Sequence, residues 1–242
     1  MSCYGPLAAW YDRLTGDVPY SAFADYYEAE FRRCGGEFRL LLDLCCGTGT
    51  LTCELARRGY ELIAADASVD MLMQARQKAT ELEKFPLFLC QEAAQLDLYG
   101  TVDAAYCSLD GMNYIPPEDL DEVFHRLRLF IRPGGLFIFD IRSPEWLESM
   151  DGQVYIDEQE DVLCLWRAEM SGDKREMHYG MDIFSREGEL WRRECEEHTE
   201  YVYSFDALKA GLEKEGFTEI RLSTDAPQGD IGRQFIIAKR GA

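Results

Sequence analysis

Asp43, Gly47, Gly49 and Asp66 have the types and spacing to hold a ligand with two chemically different ends. Asp43 follows the apolar run Leu40-Leu41-Leu42 and stands four residues before Gly47, where its carboxylate can meet an ammonium group. Asp66 closes the short stretch 61–65 and sits at the tip of the neighbouring strand, where a carboxylate can accept both hydroxyls of a ribose. Between the two acids, glycines without a Cβ let the backbone turn sharply and approach a ligand closely. The helix predicted over 51–58 aims its free N–H groups at whatever lies over that loop.

A glycine loop after a strand is shared by dinucleotide enzymes, mononucleotide binders and plain tight turns. Two details lean away from a nicotinamide cofactor. Thr52 occupies the place where the dinucleotide fingerprint wants a third small residue for helix packing, and Asp43 adds an acid inside the motif. A cofactor with an amino-acid end and a ribose end satisfies both acids, and S-adenosylmethionine (SAM) is such a cofactor.

The motif at 43–49, D-L-C-C-G-T-G, resembles the first motif of class I SAM-dependent methyltransferases, with Cys45 where many members carry glycine. D-A-S-V-D-M-L at 66–72 is similar to their second motif, and R-P-G-G-L-F-I-F-D at 132–140 to the turn and fifth strand that follow. The resemblance covers roughly the first 145 residues well. It implies that Asp43, Cys45, Gly47, Gly49, Asp66 and Ala67 contact SAM, that Met71 packs on adenine, and that Glu92 and Ala93 read the adenine amine. It also implies that the stretch 10–20, W-Y-D-R-L-T-G-D-V-P-Y, is an N-terminal lid presenting Tyr11 and Tyr20 to the cofactor. More loosely, H-T-E-Y-V-Y-S-F at 198–205 resembles the amino-sugar and glycine N-methyltransferase branch.

The elements that must position these residues follow from hydrophobic pattern. An unbroken leucine run suits a strand covered on both faces, as in a parallel sheet flanked by crossover helices. Ser68 can cap a helix carrying Met71, Leu72, Ala75, Ala79 and Leu82 on one face, and Ser21 a helix carrying Phe23, Tyr26, Tyr27 and Phe31. A third strand is expected at 87–90 and a fourth at 102–107, ending in Cys107 beside the cofactor. The fourth opens into a loop, 108–115, next to the point where the strand order reverses, so Asp110, Asn113 and Tyr114 face the ligand crevice. Beyond Pro144 the pattern changes to strands at 162–170, 177–184 and 190–203. Met177, Tyr179, Met181 and Ile183 alternate there as one buried face. The expected architecture is α/β: a doubly wound, Rossmann-like seven-stranded sheet with its last strand antiparallel, and an inserted antiparallel β lid. One domain spans 1–242, with an N-terminal helical lid at 1–35 and the β lid at 151–203.

Composition narrows the partners. The chain carries 45 acidic against 25 basic residues, a net charge of −20, which repels nucleic acid and anionic membrane surfaces. The insertion, with fifteen acidic and six basic residues, suits a cationic or polar small acceptor. Nine cysteines, an odd number with several inside apolar strands, read as reduced buried thiols. His125, His178 and His198 lie far apart and no Cys-x-x-Cys occurs, so no metal site is expected. No basic-then-apolar leader and no apolar run of about 18 residues appear, so a cytoplasmic protein is expected.

The expected activity is methyl transfer from SAM to a small-molecule acceptor, nitrogen in preference to oxygen, by in-line displacement, leaving S-adenosylhomocysteine (SAH). Tyr114, Asp110 and His198 are the candidates for proton relay or base. His198 shares its strand face with Glu194, Glu196 and Glu200, a face that solvent would tolerate. Two alternatives stay open: a non-catalytic SAM-binding regulator, and an NAD-dependent oxidoreductase. The oligomeric state is not indicated.

Overall fold

The computed structural model describes residues 5–223, 227 and 232–242. Residues 1–4 of the expected N-terminal lid lie outside them. In chain order the elements are α1 (Tyr11–Leu14), α2 (Tyr20–Cys34), β1 (Leu40–Leu44), α3 (Thr50–Arg57), β2 (Glu61–Asp66), α4 (Val69–Lys78), β3 (Leu87–Cys90) and β4 (Val102–Cys107). Then follow α5 (Leu120–Phe130), β5 (Ile131–Arg142), α6 (Pro144–Met150), β6 (Val154–Glu158), β7 (Val162–Met170), β8 (Glu176–Glu187), β9 (Leu190–Tyr201), α7 (Phe205–Lys214), β10 (Phe217–Leu222) and β11 (Arg233–Arg240).

Seven strands form one sheet in the order β10-β11-β5-β4-β1-β2-β3. Strands β1 to β5 pair in parallel, and β11 runs antiparallel to both β5 and β10. The expected seven-stranded Rossmann-like sheet with an antiparallel last strand is therefore what forms. Successive residues of β5 face opposite sides, as the period of a strand requires. Phe137, Phe139 and Ile141 pack into a core with α5 and α7, while Leu136 and Ile138 join Phe23, Tyr27 and Phe31 of α2 on the other face. Burial on both sides explains why the core strands read as apolar runs without polar alternation.

The strand order reverses between β1 and β4. The loops after them leave the sheet in different directions, and a crevice opens beyond their carboxyl ends. The register places Asp43 opposite Tyr106 of β4 and Ala64 of β2, and Asp66 opposite Cys90.

The second sheet, β6-β7-β8-β9, is antiparallel throughout. Its inward face carries Met177, Tyr179, Met181 and Ile183, all buried, as their alternation predicts. Half of that face packs on Leu7 and Leu14 of the N-terminal segment, and the other half on Leu147 of α6. On its outward face Asp182 is buried because Arg167 and Arg193 close over it. Both arginines and the Cys195 thiol hold its carboxyl below the usual range.

Some local expectations are corrected. Ser21 is not the cap of α2: the helix begins at Tyr20, after Pro19, and no side chain caps it. Ser68 does cap α4, its hydroxyl accepting from the Met71 N–H. The Pro-Gly-Gly turn lies within β5, which begins at Ile131 directly after α5. A Cβ on Gly135 meets the Asp103 carbonyl and comes within 2.6 Å of Ile131 Cγ2. Gly135→Ala is therefore expected to destabilise the protein by about 1–3 kcal/mol, the usual cost of overpacking. A lowered urea midpoint with unchanged slope checks this, and an unchanged midpoint refutes it.

Candidate active site

The loop after β1 is built from left-handed backbone. Cys45, Gly47 and Gly49 have φ of 58°, 53° and 68°. The two glycines serve different ends. A Cβ on Gly47 meets nothing within 4 Å, so the space above it is open to a ligand, whereas a Cβ on Gly49 comes within 2.8 Å of Ala75 Cβ. Gly49 thus brings the loop against α4 and does not line the crevice. Cys45 is a non-glycine residue in a conformation that costs roughly 1–2 kcal/mol for a side chain.

The two acids are held differently. Asp66 accepts the Gly47 N–H on one carboxylate oxygen and the Ser68 N–H on the other, both at 2.8 Å. Each oxygen keeps a lone pair for a further donor. Asp43 is buried and accepts the Thr52 hydroxyl. Burial raises its carboxyl to about 7, with the Thr52 bond pulling the other way.

Above this loop lies a cavity of about 660 Å³. Ten of the twelve residues expected to bind the cofactor line it: Tyr11, Tyr20, Asp43, Cys45, Gly47, Asp66, Ala67, Met71, Glu92 and Ala93. Gly49 and Cys107 do not. Cys107 is fully buried beneath Gly111, where an added Cβ falls 2.7 Å from its sulfur. The pattern reading did not assign Cys46, Thr48, Ser108, Leu109 or Ile115, which also line the cavity. Nor did it assign Asp12, whose carboxylate accepts from Thr48 Oγ1 at 2.6 Å and Thr50 Oγ1 at 3.1 Å and pairs with Lys78 Nζ at 2.7 Å. That contact straps the N-terminal segment, with Tyr11 and Tyr20, across the glycine loop.

Of the three residues expected to handle the acceptor's proton, Tyr114 alone lines the cavity. Asp110 lies behind it, paired with Arg233 Nη1 at 2.5 Å and Arg142 Nε at 3.6 Å. The backbone that presents it is unusual, because Leu109 and Asp110 both have positive φ. Their N–H groups donate at 2.9 Å to the buried Asp140 carboxylate, which also pairs with Arg233. Asn113 braces the same loop to both sheets, accepting the Arg142 N–H and donating to the Tyr201 carbonyl, each at 2.9 Å. His198 does not line the cavity, yet it is not on a solvent face. It is buried, its ring meets that of Tyr114 edge-on at 6.1 Å, and its Nε2 lies 3.0 Å from Glu196 Oε2. The other Glu196 oxygen accepts the Leu7 N–H at 2.7 Å.

Comparison with known proteins agrees with this geometry. A family model described as a methyltransferase domain matches residues 41–135, from β1 into β5. The chain is 26% identical to a candidate methyltransferase of Geobacillus sp. (strain WCH70), over 98% of this chain and 99% of that protein. The sugar N-methyltransferase KedS8 from Streptoalloteichus sp. shares the fold, with a TM-score of 0.83 at 19% identity over 100% of this chain and 95% of that one. The SAM-dependent methyltransferase from Clostridium acetobutylicum superposes with a TM-score of 0.86 at 28% identity, each chain covered in full. That likeness extends through the second sheet as well as the glycine-loop core, and with it the chain is identified as a class I SAM-dependent methyltransferase, SAM being its cofactor.

Proposed function

We propose that the methyl acceptor is a small molecule bearing an amine, and that residues 1–35 and 151–203 act as lids over it. The observation that carries this reading is the wall around Tyr114. Tyr114 lines the cavity, His198 meets its ring from behind, and Glu196, His198 and Glu200 stand in a row on the inward face of β9. A wall of that kind leaves room for a compact acceptor and favours a cationic one. KedS8, a sugar N-methyltransferase with the same two-sheet fold, supports the preference for nitrogen over oxygen. The net charge of −20 supports an acceptor that is neither nucleic acid nor a membrane surface. Among the described residues no helix is long and apolar enough to cross a membrane. Turnover is favoured over a purely regulatory role because the cavity reaches a polar hydroxyl, Tyr114, beyond the cofactor loops.

The residues present fit SAM. The open space over Gly47, the lone pairs left on Asp66, the carboxyl of Asp43 and the buried Met71 side chain supply what its sugar, amino-acid and adenine parts require. When bound, SAM supplies a methyl group already activated on a sulfonium. The protein's task is alignment and exclusion of water, which lowers a barrier by roughly 7–11 kcal/mol at best. Tyr11 and Tyr20 form the roof, and burial holds both phenols in their neutral form. Tyr114 is assigned to meet the acceptor.

SAM and SAH are expected to raise the melting temperature, and NAD is not. Ligand at about 100 times its dissociation constant contributes roughly 2.7 kcal/mol, about 5–10 °C for a domain of this size. Stabilisation by NAD alone overturns the assignment.

Asp43 makes SAM binding depend on pH. Its ionised form pairs with the cofactor's ammonium, and its carboxyl is raised to about 7. Affinity is therefore expected to rise with pH from 5.5 and to level off near 7. Without ligand the sign reverses, because the native state holds this proton more tightly than the unfolded chain does. Stability from Asp43 is present at low pH and is lost as pH rises through about 7. Thr52→Val removes the hydroxyl that favours the carboxylate, so the midpoint of the SAM affinity profile should move to higher pH. Calorimetry across this range tests the assignment, and coincident profiles for the two proteins refute it.

A further inference from the structure

Glu200 is a carboxylate that the cofactor site does not use. It lies on the inward face of β9, is 4% exposed, and its Oε2 has no hydrogen-bond partner among the described residues. Five groups on four elements act on it: the Tyr114 hydroxyl and Asp110 in the loop after β4, the Tyr179 hydroxyl on β8, Arg142 at the end of β5, and Arg233 at the start of β11. His198, paired with Glu196, precedes it by two residues on the same strand face.

The charges of this cluster do not balance with Glu200 ionised. Arg142 and Arg233 offset Asp110 and Asp140, to which they are paired. The Glu200 charge is then surplus, in a place from which water is largely excluded. Such a group holds a proton or waits for a cation. Tyr114 connects it to the cavity, since the same side chain lines that cavity and reaches Glu200.

We propose that Glu200 takes up, through the Tyr114 hydroxyl, the proton that an amine acceptor releases on methylation. As the acceptor N–H bond breaks, its proton passes to the Tyr114 oxygen while the phenolic proton passes to the Glu200 carboxylate. Tyr114 ends neutral, as it began, and Glu200 ends as an uncharged acid that returns its proton to solvent after product leaves. Because it acts through Tyr114, Glu200 is a positioning residue. Burial raises its carboxyl to about 8, Asp110 adds to the rise, and Arg142, Arg233 and Tyr114 oppose it. A midpoint near the working pH suits a group that must both accept and give back a proton. The proposal rests on the amine-methyltransferase reading.

The test is a carbon-13 titration of the full chain, labelled at the glutamate side-chain carboxyls and saturated with SAH. One resonance, absent from Glu200→Gln, should titrate near pH 8. Methylammonium chloride, compared with potassium chloride at equal ionic strength, should lower that midpoint by roughly one unit, as a cation admitted beside a carboxylate does. Tyr114→Phe should raise it, because the hydroxyl favours the charged form. If Glu200→Gln does not fold, Glu200→Asp removes the same labelled signal. A midpoint in the ordinary carboxylate range, equal effects of the two salts, or indifference to Tyr114→Phe each overturns the proposal. Failure of SAH to stabilise the protein overturns the cofactor reading instead. Stabilisation by SAH with Glu200 unresponsive to methylammonium overturns only this inference.

Discussion

The Tyr114 end of the cavity depends on one buried ion pair, Asp140 with Arg233. Asp140 stands near the end of β5, fully buried, and its two oxygens take the N–H groups of Leu109 and Asp110. Those residues have left-handed backbone that side chains avoid, and the loop keeps it because a charged acceptor waits beneath. The loop in turn carries Tyr114 to the cavity. Arg233 stabilises the carboxylate from β11, so the last strand of the chain helps to hold a loop that leaves the middle of the sheet. Removing Arg233 would leave the buried Asp140 carboxylate without its paired cation, at a cost of about 3–5 kcal/mol. The same pair fixes Asp110, which explains why that residue is structural support for the cavity wall.

At the cofactor end the comparable device is local strain opposed by packing. Cys45 takes a conformation natural to glycine, and its Cβ lies 3.0 Å from where a Cβ on Gly111 would stand. The two loops flanking the crevice thus interlock through one small side chain and one missing one. Cys107 closes the contact from below. This gives the floor of the cavity a fixed shape before any ligand arrives, which is what alignment-based catalysis requires.

Legibility in the sequence followed the range of the interactions concerned. Core strands were readable because burial on both faces demands continuous apolar residues, and β7 matches its expected bounds, Val162–Met170. Strand β6 was not, because Val154, Tyr155 and Ile156 are exposed and show no alternation of burial. Gly47 and Gly49 look alike as letters, and only the approach of Ala75 from α4 separates their roles. Asp12 bonds to threonines 36 and 38 residues away, a contact with no local signature. Glu200 was visible only as one acid on an acidic strand face. Its burial comes from the end of the second sheet lying over Tyr114, which no periodicity within β9 can report.

That second sheet is an addition to the glycine-loop core and packs behind Tyr114. The glycine loop and its two acids can hold the cofactor without it, since Asp43, Gly47 and Asp66 all come from β1, β2 and the turn between β1 and α3. Strands β8 and β9 stand behind Tyr114 and are joined to the N-terminal segment through the Leu7–Glu196 bond and the apolar contact of Leu7 and Leu14 with Met181 and Ile183. The N-terminal segment also reaches the glycine loop through Asp12. One short stretch of chain therefore touches both the glycine loop and the second sheet. Ordering that stretch by either contact favours the other, because the conformational entropy lost is paid once for both. Together these contacts couple the second sheet to the glycine loop, although few residues are shared between the two.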